Sequence, residues 1–141
     1  MNRLTHRLTC LFAATALLLA GTTAAASAAP TAPASFPPGI SCSVHFATSF
    51  AETCFVANGD DQWIRDLKAN GWTAVVHVQL NYLKDRTCSA LPAAEGWGVC
   101  KFDHVEDKCV RFELFEKKGN ETRNPSAWSR WYHVSNGQVC D

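Results

Sequence analysis

The sequence has no surplus of either charge: it carries thirteen basic and thirteen acidic side chains in 141 residues. A protein that grips a polyanion or an anionic bilayer needs a basic face. Nucleic acid and anionic lipid are therefore not expected partners. Long apolar runs are missing too. The stretch Leu11–Ala20 is ten residues, whereas a helix needs about 20 to cross a hydrocarbon core of roughly 30 Å. Also absent are Gly-x-Ser-x-Gly, His-Glu-x-x-His, a phosphate loop and a dinucleotide fingerprint, so none of the common catalytic signatures is present. No Cys-x-x-Cys or paired Cys/His spacing suggests structural zinc. No metal, cofactor or internal repeat is expected.

What is present begins with Arg3, His6 and Arg7, continues into the apolar stretch and ends in small residues through Ala26-Ser27-Ala28. That order of basic, apolar and small segments reads as a secretory leader over residues 1–28, cleaved after Ala28. Cys10 precedes the apolar stretch and so does not fit a lipidation site, and the arginines are not adjacent as in a twin-arginine leader. The remaining 113 residues hold eleven bases and thirteen acids, a formal charge of −2. Secretion is the expected localisation.

Six cysteines follow the leader: Cys42, Cys54, Cys88, Cys100, Cys109 and Cys140. An even number in a small exported domain reads as a disulfide framework. The sequence does not fix the pairing. Equal separations of 12 positions favour Cys42–Cys54 and Cys88–Cys100 as local clips, leaving Cys109–Cys140 as a longer tie. Each short clip is worth about 3 kcal/mol in the chain-entropy account.

Residues 29–41 contain four of the six prolines and no charge. This composition favours an extended arm. It reads either as a tail left by cleavage or as a docking arm anchored by Phe36 and stiffened by Pro37 and Pro38, which would lose little entropy on binding. Residues 42–141 read as one β domain. Strands are expected over Ser43–Phe50, Cys54–Val56, Trp72–Tyr82, Trp97–Phe102, Val110–Leu114 and Ser129–Ser135, with a turn at Asn58–Asp61. The alternation from Trp72 to Tyr82 is the strongest of these signals. A short helix is expected over Gln62–Asn70, capped by Asp60 or Asp61 and ended by Gly71. Trp97–Phe102 and Val110–Leu114 are expected to form a hairpin across Asp103–Asp107. The fold class is all-β, an antiparallel sandwich or small barrel stapled by disulfides.

Candidate chemistry is sparse. His77 and His133 read as ordinary strand residues, and His104 as part of a solvated acidic turn. In a strand Trp128 and Trp131 would point to opposite faces, one into the core and one outward to stack on a sugar or anchor a protein. The loop between Cys88 and Cys100 is short and apolar, as in secreted inhibitors of hydrolases, although Pro92 after Leu91 argues against Leu91 as a substrate-like residue.

Taken together, the alanine-rich leader, the arm ending Phe36-Pro37-Pro38-Gly39 and a Cys-bearing β domain give a recognisable layout. That domain carries Gly71-Trp72, Gly96-Trp97-Gly98-Val99-Cys100 and Cys109-Val110-Arg111-Phe112. The layout resembles the adaptor subunits of the umbrella toxin particles of filamentous actinobacteria. The resemblance implies a non-enzymatic role in an extracellular antibacterial complex. The arm would insert into a groove on a large toxin-bearing subunit, and the β domain would hold a lectin-like subunit. A secreted, non-catalytic adaptor is thus the expected function, with Phe36, Pro37, Pro38, Trp128 and Trp131 as contact residues. A hydrolase inhibitor is the alternative, and a small secreted hydrolase or nuclease the third reading.

Overall fold

A computed structural model describes residues 35–83 and 85–140. The expected leader and residues 29–34 of the arm lie outside the described residues. The strands are β1 (Val44–Ala47), β2 (Ala51–Val56), β3 (Asp61–Asp66), β4 (Thr73–Leu80), β5 (Arg86–Ser89), β6 (Trp97–Lys101), β7 (Cys109–Lys118), β8 (Glu121–Arg123) and β9 (Tyr132–His133). They form two antiparallel sheets. Sheet I runs β1-β2-β3-β6, and sheet II runs β5-β4-β7-β8 with β9 also on β7. The expected all-β, disulfide-stapled class holds. Among the described residues no helix is long and apolar enough to cross a membrane.

The centre of sheet II is the β4–β7 pair. Ala74, Val76, Val78 and Leu80 alternate inward opposite Glu116, Leu114, Phe112 and Val110, the pattern visible in the sequence. Sheet I contributes Val44, Ala51, Phe55 and Ile64 to the same core. Phe55 and Phe112 meet across the interface with ring centroids 5.9 Å apart. Each large apolar side chain buried in this way contributes about 1.5–3 kcal/mol.

The expected disulfide pairing is the one observed: Cys42–Cys54, Cys88–Cys100 and Cys109–Cys140. Equal separation does not mean equal work. Cys42–Cys54 pins the end of the arm to β2. Cys88 on β5 and Cys100 on β6 belong to different sheets, so their bond staples the sandwich through its core.

Four local expectations are corrected. Gln62–Asn70 is not helical: its first half is β3, with Gln62, Ile64 and Asp66 inward and Trp63 and Arg65 outward, paired on both sides by β2 and β6. The chain between β2 and β3 turns at Gly59 and Asp60, both at positive φ, as the Asn-Gly-Asp-Asp signal predicted. Ser43–Phe50 is interrupted after Ala47, where the Thr48 hydroxyl accepts hydrogen bonds from the Phe50 and Ala51 N–H groups and turns β1 into β2. Strands β6 and β7 do not form a hairpin, because β6 pairs with β3 and residues 102–108 cross from one sheet to the other. Finally, only Tyr132–His133 of the expected Ser129–Ser135 strand is extended on β7.

Candidate functional site

Because opposed residues in a ladder share a face, the registers define the outer surface of each sheet. On sheet I, Glu52 lies opposite Arg65 and Arg65 opposite Trp97, while Cys54, Trp63 and Val99 line up beside them. Arg65 is ion-paired with Glu52, and its guanidinium lies 5.4 Å from the Trp97 ring centroid. His45 Nε2 approaches the other carboxylate oxygen of Glu52 at 3.1 Å. Phe36 folds back onto this face, its ring edge-on to Trp63 at 5.6 Å and to Trp97 at 4.9 Å. The part of the arm that the structure describes is therefore seated on its own domain, with Pro37 half-buried and Pro38 exposed.

On sheet II the outer face carries Gln79 opposite Arg111 and His77 opposite Glu113. Arg111 donates through Nε to Gln79 Oε1 at 2.6 Å. Its guanidinium sits 4.6 Å from the Trp128 centroid and 4.7 Å from that of Trp131. The His77 ring packs against Trp128 at a tilt of 59°, centroids 4.9 Å apart, with Nε2 2.9 Å from Asp85 and Nδ1 3.5 Å from Glu113. The result is a ladder of His77, Trp128, Arg111 and Trp131. Both ring nitrogens of His77 face carboxylates. Two open grooves lie on sheet II, one of about 420 Å3 along Thr73, Val75, Ser89 and Lys117, the other of about 200 Å3 along Glu113, Phe115 and Pro125.

Trp128 and Trp131 thus share one face, which corrects the expectation of opposite faces. The segment between β8 and β9 is not a regular strand. The Ser126 N–H donates to the Leu114 carbonyl, and the Leu114 N–H donates to the Ser126 hydroxyl. Ser129 does the same with Phe112. Three residues of this segment therefore match two of β7, so each Ser-x-Trp triplet brings its tryptophan to the same side. The tandem Ser126-Ala127-Trp128 and Ser129-Arg130-Trp131 was the sequence signal that a two-residue period missed.

His104 is corrected as well: it is buried at 5% exposure, not solvated. Its ring lies near Phe102 and Phe55, at 5.4 and 6.1 Å, and neither nitrogen has a hydrogen-bond partner among the described residues. Burial lowers its pKa to about 4, helped by the nearby Arg86 charge. The Asp60 carboxylate accepts from the His104 backbone N–H at 2.7 Å, and burial raises the pKa of Asp60. His133 lies near Cys109 and Cys140, but both sulfurs are in a disulfide. The loop between Cys88 and Cys100 packs Leu91 against Gly98, leaving Leu91 41% exposed.

No family model, curated protein or solved structure matches the chain.

Proposed function

We propose that the chain is an exported, non-catalytic adaptor that holds two other exported proteins, one on each outer face of the sandwich. The observation that carries this reading is duplication. Arg65 with Trp63 and Trp97 marks the outside of sheet I, and Arg111 with Trp128 and Trp131 marks the outside of sheet II. Tryptophan and arginine are the side chains that dominate interface energetics. With the core between the two clusters, each face serves a different partner, the one on sheet I at the place where Phe36 sits. Three disulfides suit an oxidising compartment. The resemblance supplies the finer identities, a large toxin-bearing subunit on the arm side and a lectin-like subunit on the β domain, in an extracellular antibacterial complex.

Recovery of bound proteins from the secreted fraction of a producing culture tests this. Trp128→Ala/Trp131→Ala should lose one partner and keep the other, and Phe36→Ala/Trp97→Ala should do the reverse. If both variants recover the full wild-type set, or the wild type recovers nothing, the adaptor reading falls.

The exposed Leu91 on a disulfide-tethered loop favours a second reading, an inhibitor of a secreted hydrolase. Nanomolar inhibition in a protease and amylase panel, lost in Leu91→Ala, would support it. A blank panel removes it.

A further inference from the structure

The contact between the arm and sheet I is a seated ligand in miniature. Phe36 presents its ring edge-on between two indoles carried on adjacent strands, with interplanar angles of 73° and 86°. Edge-to-face pairs of this kind contribute about 0.5–1.5 kcal/mol each beyond area burial. Between the seat and the domain the chain is short. Ile40 donates to the Pro37 carbonyl at 3.4 Å, Gly39 stands at φ 82°, and Cys42 is bonded to Cys54 on the same face. A ligand tethered so closely works at an effective concentration on the order of millimolar, so weak contacts suffice to keep it in place.

The fit is incomplete. Trp63 Nε1 is buried and has no hydrogen-bond acceptor among the described residues, and an unpaired buried donor costs about 1–3 kcal/mol. An extended segment arriving with a carbonyl at that point would recover this cost, which the resident arm does not.

We propose that the notch between Trp63 and Trp97 is a binding site for an extended aromatic–proline segment. The chain's own Phe36-Pro37-Pro38 fills it in the unbound protein, and a segment of the same chemistry on an exported partner displaces it. The inference of a partner rests on the adaptor reading. The notch itself does not, because it can be tested on the purified protein alone.

The probe is a synthetic peptide with the sequence of residues 35–41, titrated into 15N-labelled protein while the indole N–H resonances of Trp63 and Trp97 are followed. In Phe36→Ala, which empties the seat without touching the core, both resonances should shift saturably. Wild type should need at least tenfold more peptide. Phe36→Ala/Trp97→Ala should give no saturable shift, nor should a peptide with alanine in place of phenylalanine. Equal responses from wild type and Phe36→Ala, silent indoles in a folded Phe36→Ala chain, or equal binding of the alanine peptide would each overturn the site. Self-association of the wild type that disappears in Phe36→Ala would give the seat to a second copy and overturn the exchange with a partner. If the peptide binds as expected while no protein is recovered from secreted material, the notch stands and the adaptor reading falls.

Discussion

Single ionisable groups set the acid response of this domain. Glu116 is 3% exposed and accepts from Arg123 Nε at 2.9 Å and Nη2 at 3.1 Å, and from the side-chain amides of Asn70 and Asn124 at 2.6 Å each. Those bonds, Arg123 first, lower its pKa from 4.5 to about 2. Its contribution is therefore complete above pH 4.5 and is lost as pH falls towards 2. His104 acts in the same direction at higher pH: the unfolded chain takes up a proton near pH 6.5 that the folded chain excludes until about 4, so stability declines across that interval. Asp60, with its pKa raised by burial, opposes both, because its contribution is present below the ordinary carboxylate range and lost as pH rises through the folded value. His104→Leu removes two unpartnered nitrogens from between Phe55 and Phe102. It should match or exceed wild-type stability at pH 7 and flatten the decline between pH 6.5 and 4 in urea melts, leaving the limb below 4.5. A His104→Leu chain that keeps the upper limb would show that His104 is not its source. Glu116→Ala removes the shared acceptor of Asn70, Asn124 and Arg123, the last of which is 39% exposed and also lies 4.1 Å from the Trp72 centroid. It should cost about 1–3 kcal/mol at pH 7, with the loss shrinking as wild type is itself acidified.

At the scale of elements, the segment carrying Ser126 and Ser129 closes the edge of β7 with hydroxyls where a strand would use amides. Ser126→Ala leaves the Leu114 N–H without its acceptor, and Ser129→Ala does the same to the Phe112 N–H. Leu114 and Phe112 are buried, so each change should lower stability by about 1–3 kcal/mol. It should also loosen the tryptophan that follows, read as increased quenching of indole fluorescence by iodide. Unchanged stability and quenching would mean that the hydroxyls are incidental to the ladder. This element also marks the limit of what could be read in advance. β4 was legible because Ala74 to Leu80 alternates through a half-buried sheet, and a two-residue period is a local property. β3 was not: Trp63, Ile64 and Leu67 behind a pair of aspartates satisfy a helical reading equally well. What decides the matter is pairing with β2 and β6, one of them more than thirty residues downstream. The Ser-x-Trp tandem follows neither helix nor strand spacing, so those two periods do not place Trp131 on the same side as Trp128. His104 was hidden by its acidic neighbours, whose own exposure says nothing about a ring turned inward.

For the whole molecule, the disulfides separate two ideas that the sequence could not. Cys42–Cys54 and Cys88–Cys100 each span 12 positions, so loop-closure entropy gives both about 3 kcal/mol. If constraint of the unfolded chain were all that mattered, replacing either pair by alanine would cost the same. The two bonds differ in what they join. Cys42–Cys54 ties the arm to the outer face of sheet I, whereas Cys88–Cys100 is, among the described residues, the disulfide that links the sheets, with Cys88 at 1% exposure inside the core. Replacing Cys88 and Cys100 by alanine should therefore lower the melting temperature further than replacing Cys42 and Cys54. It should also raise binding of a hydrophobic dye below the transition, as the sheets part over the side chains of Phe55 and Phe112. Replacing Cys42 and Cys54 should leave the two-sheet core intact while freeing the residues around Phe36, so its distinguishing signature is loss of the contacts of Phe36 with Trp63 and Trp97. Equal melting temperatures and equal dye binding in the two variants would reduce the staple to an ordinary chain constraint. The two outer faces would then owe their fixed separation to the packed side chains alone.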